Sequence, residues 1–125
     1  MSVTKKDEGV KRVMSSSVMK KDEVEITELY NTSQKILIAC VGDFSYAHLI
    51  ATTLGDASNI VVISQCGCVG ELEMMYENAR SHMLDLTKLG ATIVFNVDFR
   101  DFAKDSRINH MRFDRIILDM SGQWK

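Results

Sequence analysis

At 125 residues the chain has the length of one domain, and roughly two thirds of the unfolded surface can be buried at that size. Hydrophobic residues at 46% and charged residues at 26% give a globular balance, which excludes a chain disordered or fibrous throughout. A formal charge of -2 excludes a globally basic nucleic-acid binder, so any RNA contact needs a local patch or a partner.

Residues 1–34 hold six Lys or Arg, six Asp or Glu and the run Ser15-Ser16-Ser17, which reads as a flexible polar lead-in with a short helix over residues 22–30. Its basic pairs, Lys5-Lys6, Lys11-Arg12 and Lys20-Lys21, are interrupted by acids and make a poor nuclear import signal. The folded domain is expected over residues 35–125. Four short apolar runs follow, at residues 36–41, 59–64, 91–97 and 113–120, and their continuous β-branched character suits strands buried on both faces of a parallel sheet. Between them the spacing predicts a helix over residues 44–54 ended by Gly55, a long amphipathic helix over 71–89 stopped by Gly90, and at most a short helix within 101–108. Strand alternating with helix predicts an α/β fold, a doubly wound, mainly parallel sheet of about four strands with flanking helices.

No apolar run approaches the roughly 20 residues of a membrane span, and the start lacks the apolar centre of a signal peptide, so an intracellular, soluble protein is expected. Three cysteines, an odd number, fit reduced thiols better than a disulfide framework. Proline is absent where average usage gives about six, so turns here lack the residue that fixes φ.

Open parallel sheets bind ligands outside the carboxyl ends of their strands. After the first strand comes Cys40-Val41-Gly42-Asp43-Phe44-Ser45. The glycine lets backbone approach a ligand and the next helix offers free N–H groups, although an ordinary turn capped by Asp43 or Ser45 has the same composition. Together with Tyr46, the block Tyr76, Asn78, Ala79, Ser81, Leu86, Leu89 and Gly90, the pair Val97-Asp98, and Arg112-Phe113-Asp114-Arg115-Ile116-Ile117, this string resembles the 25S rRNA (uridine-N(3))-methyltransferase-like domain. Four blocks keep their order and spacing over about residues 35–120.

The resemblance implies a Rossmann-like class I methyltransferase domain using S-adenosylmethionine, with rRNA as partner and no DNA or membrane partner, placed in the cytoplasm or nucleolus. It puts Gly42, Asp43, Phe44 and Ser45 under the methionine part of the cofactor, Cys66 near the ribose hydroxyls and Asp98 beside the adenine. Family glycine and glutamate are replaced by Cys40 and Val41, and the family's ribose-binding acid falls at Cys66, with no carboxylate before Glu71. A side chain at Cys40 crowds the approach of the cofactor. The family's Tyr-Pro-Asn reads Tyr76-Glu77-Asn78, and Asn-Phe-Pro-His reads Asp119-Met120-Ser121-Gly122, which leaves Asp119 as the titratable group expected to handle the uridine N3 proton. The sheet is expected to end after its fourth strand, truncated relative to a full methyltransferase sheet, with an open edge suited to pairing with a second copy. The competing reading is a cofactor-free interaction module on the same fold.

Cys66-x-Cys68 with Cys40 falls short of the four ligands of a structural zinc site, so no metal is expected. His48 reads as a packed or partly exposed helix residue rather than a catalytic base, and the methionines as core filler. His110 with Arg107, Arg112 and Arg115 reads either as a solvated loop or as a phosphate-contacting edge. Trp124 reads either as an exposed end or as an aromatic that stacks on a base or covers the sheet edge.

Overall fold

The computed structural model describes residues 24–119; the expectations for residues 1–23, for Met120 to Gly122 and for Trp124 lie outside the described residues. Helix α1 covers residues 24–29. Then follow β1 (Ile36–Cys40), α2 (Ser45–Leu54), β2 (Ile60–Ser64), α3 (Val69–Met75), α4 (Ala79–Lys88), β3 (Thr92–Val94), a 3-10 turn (Phe102–Lys104) and β4 (Arg115–Asp119). The strands form one all-parallel sheet in the order β3-β2-β1-β4. This is the parallel α/β arrangement that the alternating runs predict and the Rossmann-like fold that the resemblance implies.

The strand pattern explains how the sheet is buried. Side chains alternate across a strand, so Ile36, Ile38 and Cys40 of β1 enter the helix-side core, while Leu37 and Ala39 enter the other. Against the first set pack Phe44, Ala47, Ile50 and Ala51 from the start and face of α2, Leu72 from α3, and Ala79 and Leu86 from α4. Ile26 of α1, 2% exposed, and half-buried Tyr30 join this core from the segment read as lead-in. The second face has no helix among the described residues. It is covered by the segment after β3, through Val97, Ile108, Phe99, Phe102 and Phe113. Each large apolar side chain buried in this way contributes about 1.5 to 3 kcal/mol.

Three expectations are corrected. Only β1 and β2 are buried along their whole length; β4 is an edge strand whose Ile116 and Leu118 are 53% and 62% exposed, and β3 is partly exposed at the other edge. The long helix over 71–89 is two helices, because Tyr76 takes an extended backbone (φ -137°) and ends α3 before Asn78 starts α4. The third strand stops at Val94 rather than 97: Asn96 adopts a left-handed conformation (φ 61°), which a ladder does not accommodate. The segment 101–108, expected to hold at most a short helix, holds a single 3-10 turn.

Both helix stops hold. Gly55 follows α2 at φ 80° and donates its N–H to Ala51 O at 2.8 Å. Gly90 follows α4 at φ 108°, with Gly90 N–H donating to Thr87 O (3.0 Å) and Ala91 N–H to Leu86 O (3.0 Å), the paired bonds of a Schellman motif. The two glycines differ in surroundings: a Cβ on Gly90 meets Ser58 Cα at 3.1 Å and Ser58 N at 3.2 Å, whereas one on Gly55 meets nothing within 4 Å. Gly55→Ala is therefore expected to cost about 1 kcal/mol, from backbone strain alone, and Gly90→Ala about 2 to 3 kcal/mol, because backbone must also shift. Urea unfolding of the two variants measures the difference.

Candidate functional site at the carboxyl edge of the sheet

Because all four strands are parallel, their carboxyl ends share one edge. Cys40 stands there in register with Ser64 on one side and Asp119 on the other, and Val41 N–H carries the ladder one bond further to Asp119 O at 3.0 Å. The chain builds outward from β1 to β2 and β3, then returns to lay β4 on the far side of β1. That reversal makes the end of β1 the switch point at which open sheets bind ligands.

The turn leaving β1 is held from three sides. Asp43 Oδ1 accepts the N–H of Ser45 at 3.0 Å, a local turn bond to the first N–H of α2, while the cap position itself is Phe44 and has no side-chain cap bond. Phe44 adopts φ 69°, and its ring is wholly buried, 6.1 Å from the ring of Phe95. What Phe44 offers a ligand is thus its backbone. His82 of α4 reaches across to the turn, its Nδ1 donating to Asp43 O at 2.9 Å. The carbonyl cannot donate, so this contact fixes a proton on Nδ1. His48 of α2 stacks on His82 with ring centroids 4.6 Å apart and bonds Asp85 through Nε2 at 2.9 Å. His48 is a partly exposed helix residue held by Asp85. The role of His82 escaped sequence reasoning, since it depends on a contact between residues 39 apart.

The ends of β2 and β3 are laced together: Val97 N–H donates to Ser64 O (3.0 Å) and Asn96 N–H to Cys66 O (2.7 Å). Cys66 is half-buried in this loop, its N–H on Ser64 Oγ at 3.2 Å. Glu71, in the first turn of α3, folds back so that Oε1 accepts the N–H of Gly67 at 2.8 Å. A carboxylate is therefore present beside the β2 end although the strand itself supplies none. Asp98 is exposed and held by Arg100 through Nε and Nη2, both at 3.1 Å, and the Arg100 side chain holds its carboxyl below the usual range. Cys40 is 1% exposed, and its thiol lies in the helix-side core rather than above the strand ends. Burial, then the carboxylates of Asp119 and Asp43, push that thiol well above its ordinary value, so it is an inert neutral group. Among the described residues no three His, Cys, Asp or Glu side chains gather in a metal-holding group.

Arg107 locks the loop behind this edge. Its guanidinium donates to Asp105, to Phe95 O at 2.8 Å and to Asn96 O at 3.0 Å, and its side chain holds the Asp105 carboxyl down to about 2. A carboxylate whose folded pKa is depressed stabilises the fold above its unfolded value near 4 and loses that contribution as pH falls towards 2. Acid unfolding followed by circular dichroism should accordingly be less steep between pH 4 and 2 in Asp105→Asn, and the variant should be less stable than wild type at pH 7.

Residues 37–120 match the profile of the BMT5-like family, described as rRNA (uridine-N3-)-methyltransferase BTM5-like. The chain belongs to this family. Two proteins of Arabidopsis thaliana are similar to it: Heavy metal-associated isoprenylated plant protein 41, 34% identical over 98 residues, and Uncharacterized protein At4g26485, 30% identical over 90 residues. These matches cover 78% and 72% of this chain but span 19% and 43% of the relatives' own lengths. No solved structure gives a significant match.

Set against the family pattern, the structure brings Gly42 to Ser45, Cys66 and Asp119 to the β1, β2 and β4 ends, with Asp98 four residues beyond the end of β3. The replacement at Cys40 leaves the strand-end space clear because the thiol points into the core.

Proposed function

We propose that the carboxyl edge of this sheet binds S-adenosylmethionine and that the domain methylates N3 of a uridine in rRNA. The observation that carries the reading is the Gly42–Ser45 turn: it sits on the central strand at the switch point, braced by His82 and leading into the free N–H groups of α2. S-adenosylmethionine supplies an electrophilic methyl group on a sulfonium. The backbone of Gly42 to Ser45 holds its amino-acid end. Glu71, with Oε1 on Gly67 and Oε2 free among the described residues, takes the ribose hydroxyls beside Cys66 in place of the family acid. Asp98 faces the adenine once Arg100 swings away, which is a weak constraint for so exposed an ion pair. Asp119, 9% exposed at the end of β4, would accept the proton that uridine N3 must lose when the methyl group passes from the sulfonium to N3, the S–CH3 bond breaking to leave S-adenosylhomocysteine. An rRNA substrate places the work in the nucleolus or cytoplasm.

Incubation with methyl-tritiated S-adenosylmethionine and ribosomal RNA, followed by nucleoside digestion, is expected to yield labelled 3-methyluridine, with Asp119→Asn giving at least tenfold less. No label above a heat-denatured control opposes the reading. A second reading, an interaction module that pairs with another copy through β4, is favoured by the exposure of Ile116 and Leu118 on that edge. A monomer at 100 µM by sedimentation velocity would remove it.

A further inference from the structure

We infer that the opposite, amino edge of the sheet carries a second binding site, one for a nucleotide, distinct from the carboxyl-edge site and not dependent on methyl transfer. All four strands contribute to a cleft of about 490 Å³ there: Lys35 precedes β1, Asn59 precedes β2, Thr92 opens β3, and Arg112 and Phe113 precede β4.

Its charge is set apart from that of the rest of the chain. Of the eight Lys and Arg residues described, Arg80, Arg100, Lys104 and Arg107 are ion-paired. Lys35, Lys88, Arg112 and Arg115 have no ion-pair partner among the described residues. Two of these four, Lys35 and Arg112, line the cleft, and Arg115 opens β4 in register with Ile36, the residue after Lys35. The carboxylates of the flanking turns keep their charge but are tied to backbone: Asp114 Oδ2 accepts Lys35 N–H at 2.8 Å and Asp56 Oδ1 accepts Ser58 N–H at 2.7 Å. Neither lines the cleft. A chain of net charge -2 thus lines this cleft with two cations that have no ion-pair partner among the described residues, and with no carboxylate.

The walls add a second requirement. Phe113 is half-buried, and Met111 is 38% exposed although apolar. Cations beside an aromatic and a thioether suit a ligand with an anionic group and a flat π-face, and Thr92 and the Oδ1 of Asn59, whose Nδ2 donates to Thr32 O at 2.7 Å, offer polar groups for a base edge. A nucleotide has both features: its phosphate sits on Lys35 and Arg112, and its base lies against Phe113 and Met111. Of the stretch around His110, Arg107 is withdrawn into the Asp105 pair, and Lys35, remote in sequence, takes its place in the basic group.

The test uses the full chain with fluorescein-labelled hexauridylate, read by anisotropy, and unlabelled UMP as competitor. Wild type is expected to bind hexauridylate in the micromolar range at 50 mM salt. Lys35→Gln/Arg112→Gln should bind at least tenfold more weakly, with the slope of log K against log salt shallower by about 1 to 2. Lys88→Gln, which removes a charge outside the cleft lining, should stay within twofold of wild type. Competition by UMP assigns the site to a free nucleotide; its failure assigns it to a residue within single-stranded RNA. As a check that needs no variant, UMP or hexauridylate should shift the amide resonances of Asn59, Thr92 and Phe113. No binding of either probe at 1 mM, or a double variant that binds as wild type, overturns the site, whatever the outcome of methyl transfer or S-adenosylmethionine binding.

Discussion

Phe44→Ala is expected to lower the melting temperature by about 10 °C or more. The ring is wholly buried between α2 and the sheet, against Phe95, and truncating such a side chain costs about 3 to 5 kcal/mol. The backbone at Phe44 makes the prediction more specific. At φ 69° a residue with a Cβ is strained by about 1 to 2 kcal/mol, which glycine avoids. Phe44→Gly should therefore melt at or above Phe44→Ala, the reverse of the usual order of these two replacements. Calorimetry of the three proteins gives both differences. If Phe44→Ala melts within 2 °C of wild type, the ring is not the anchor of the turn.

The second large effect concerns Glu71. Charge-assisted hydrogen bonds of the kind a carboxylate makes to ribose hydroxyls are worth about 1.5 to 3 kcal/mol, so Glu71→Gln is expected to weaken S-adenosylmethionine binding by about 10- to 100-fold. Glutamine keeps the shape and can still accept the Gly67 N–H, so the melting temperature should change little. Glu73→Gln, two positions on and paired with Arg80, is the matched control and should leave affinity unaltered. An equal loss in both variants, or in neither, removes Glu71 from the site.

The central strands were legible because they are surrounded: Ile36 to Cys40 and Ile60 to Ser64 need apolar side chains on both faces, and a continuous run records that need. The run at β4 looks the same although Ile116 and Leu118 face outward, because apolar composition does not tell what covers a face. Periodicity hid the break between α3 and α4. Leu72, Ala79 and Leu86 lie seven apart and all are buried, so the spacing reads as one helix whether or not the chain opens at Tyr76. The family's proline at position 77 was the available signal, and Glu77 erases it. The Gly42–Ser45 turn was legible from its own letters. Its bracing by His82 was not, nor was the neutralisation of Asp98 and Asp105 by arginines two residues on, because these are matters of side-chain direction rather than pattern.

Titration calorimetry of the full chain with S-adenosylmethionine tests the assignment of the carboxyl edge most directly. Micromolar binding that weakens 10- to 100-fold in Glu71→Gln is the expected result; no heat of binding at millimolar ligand would contradict it.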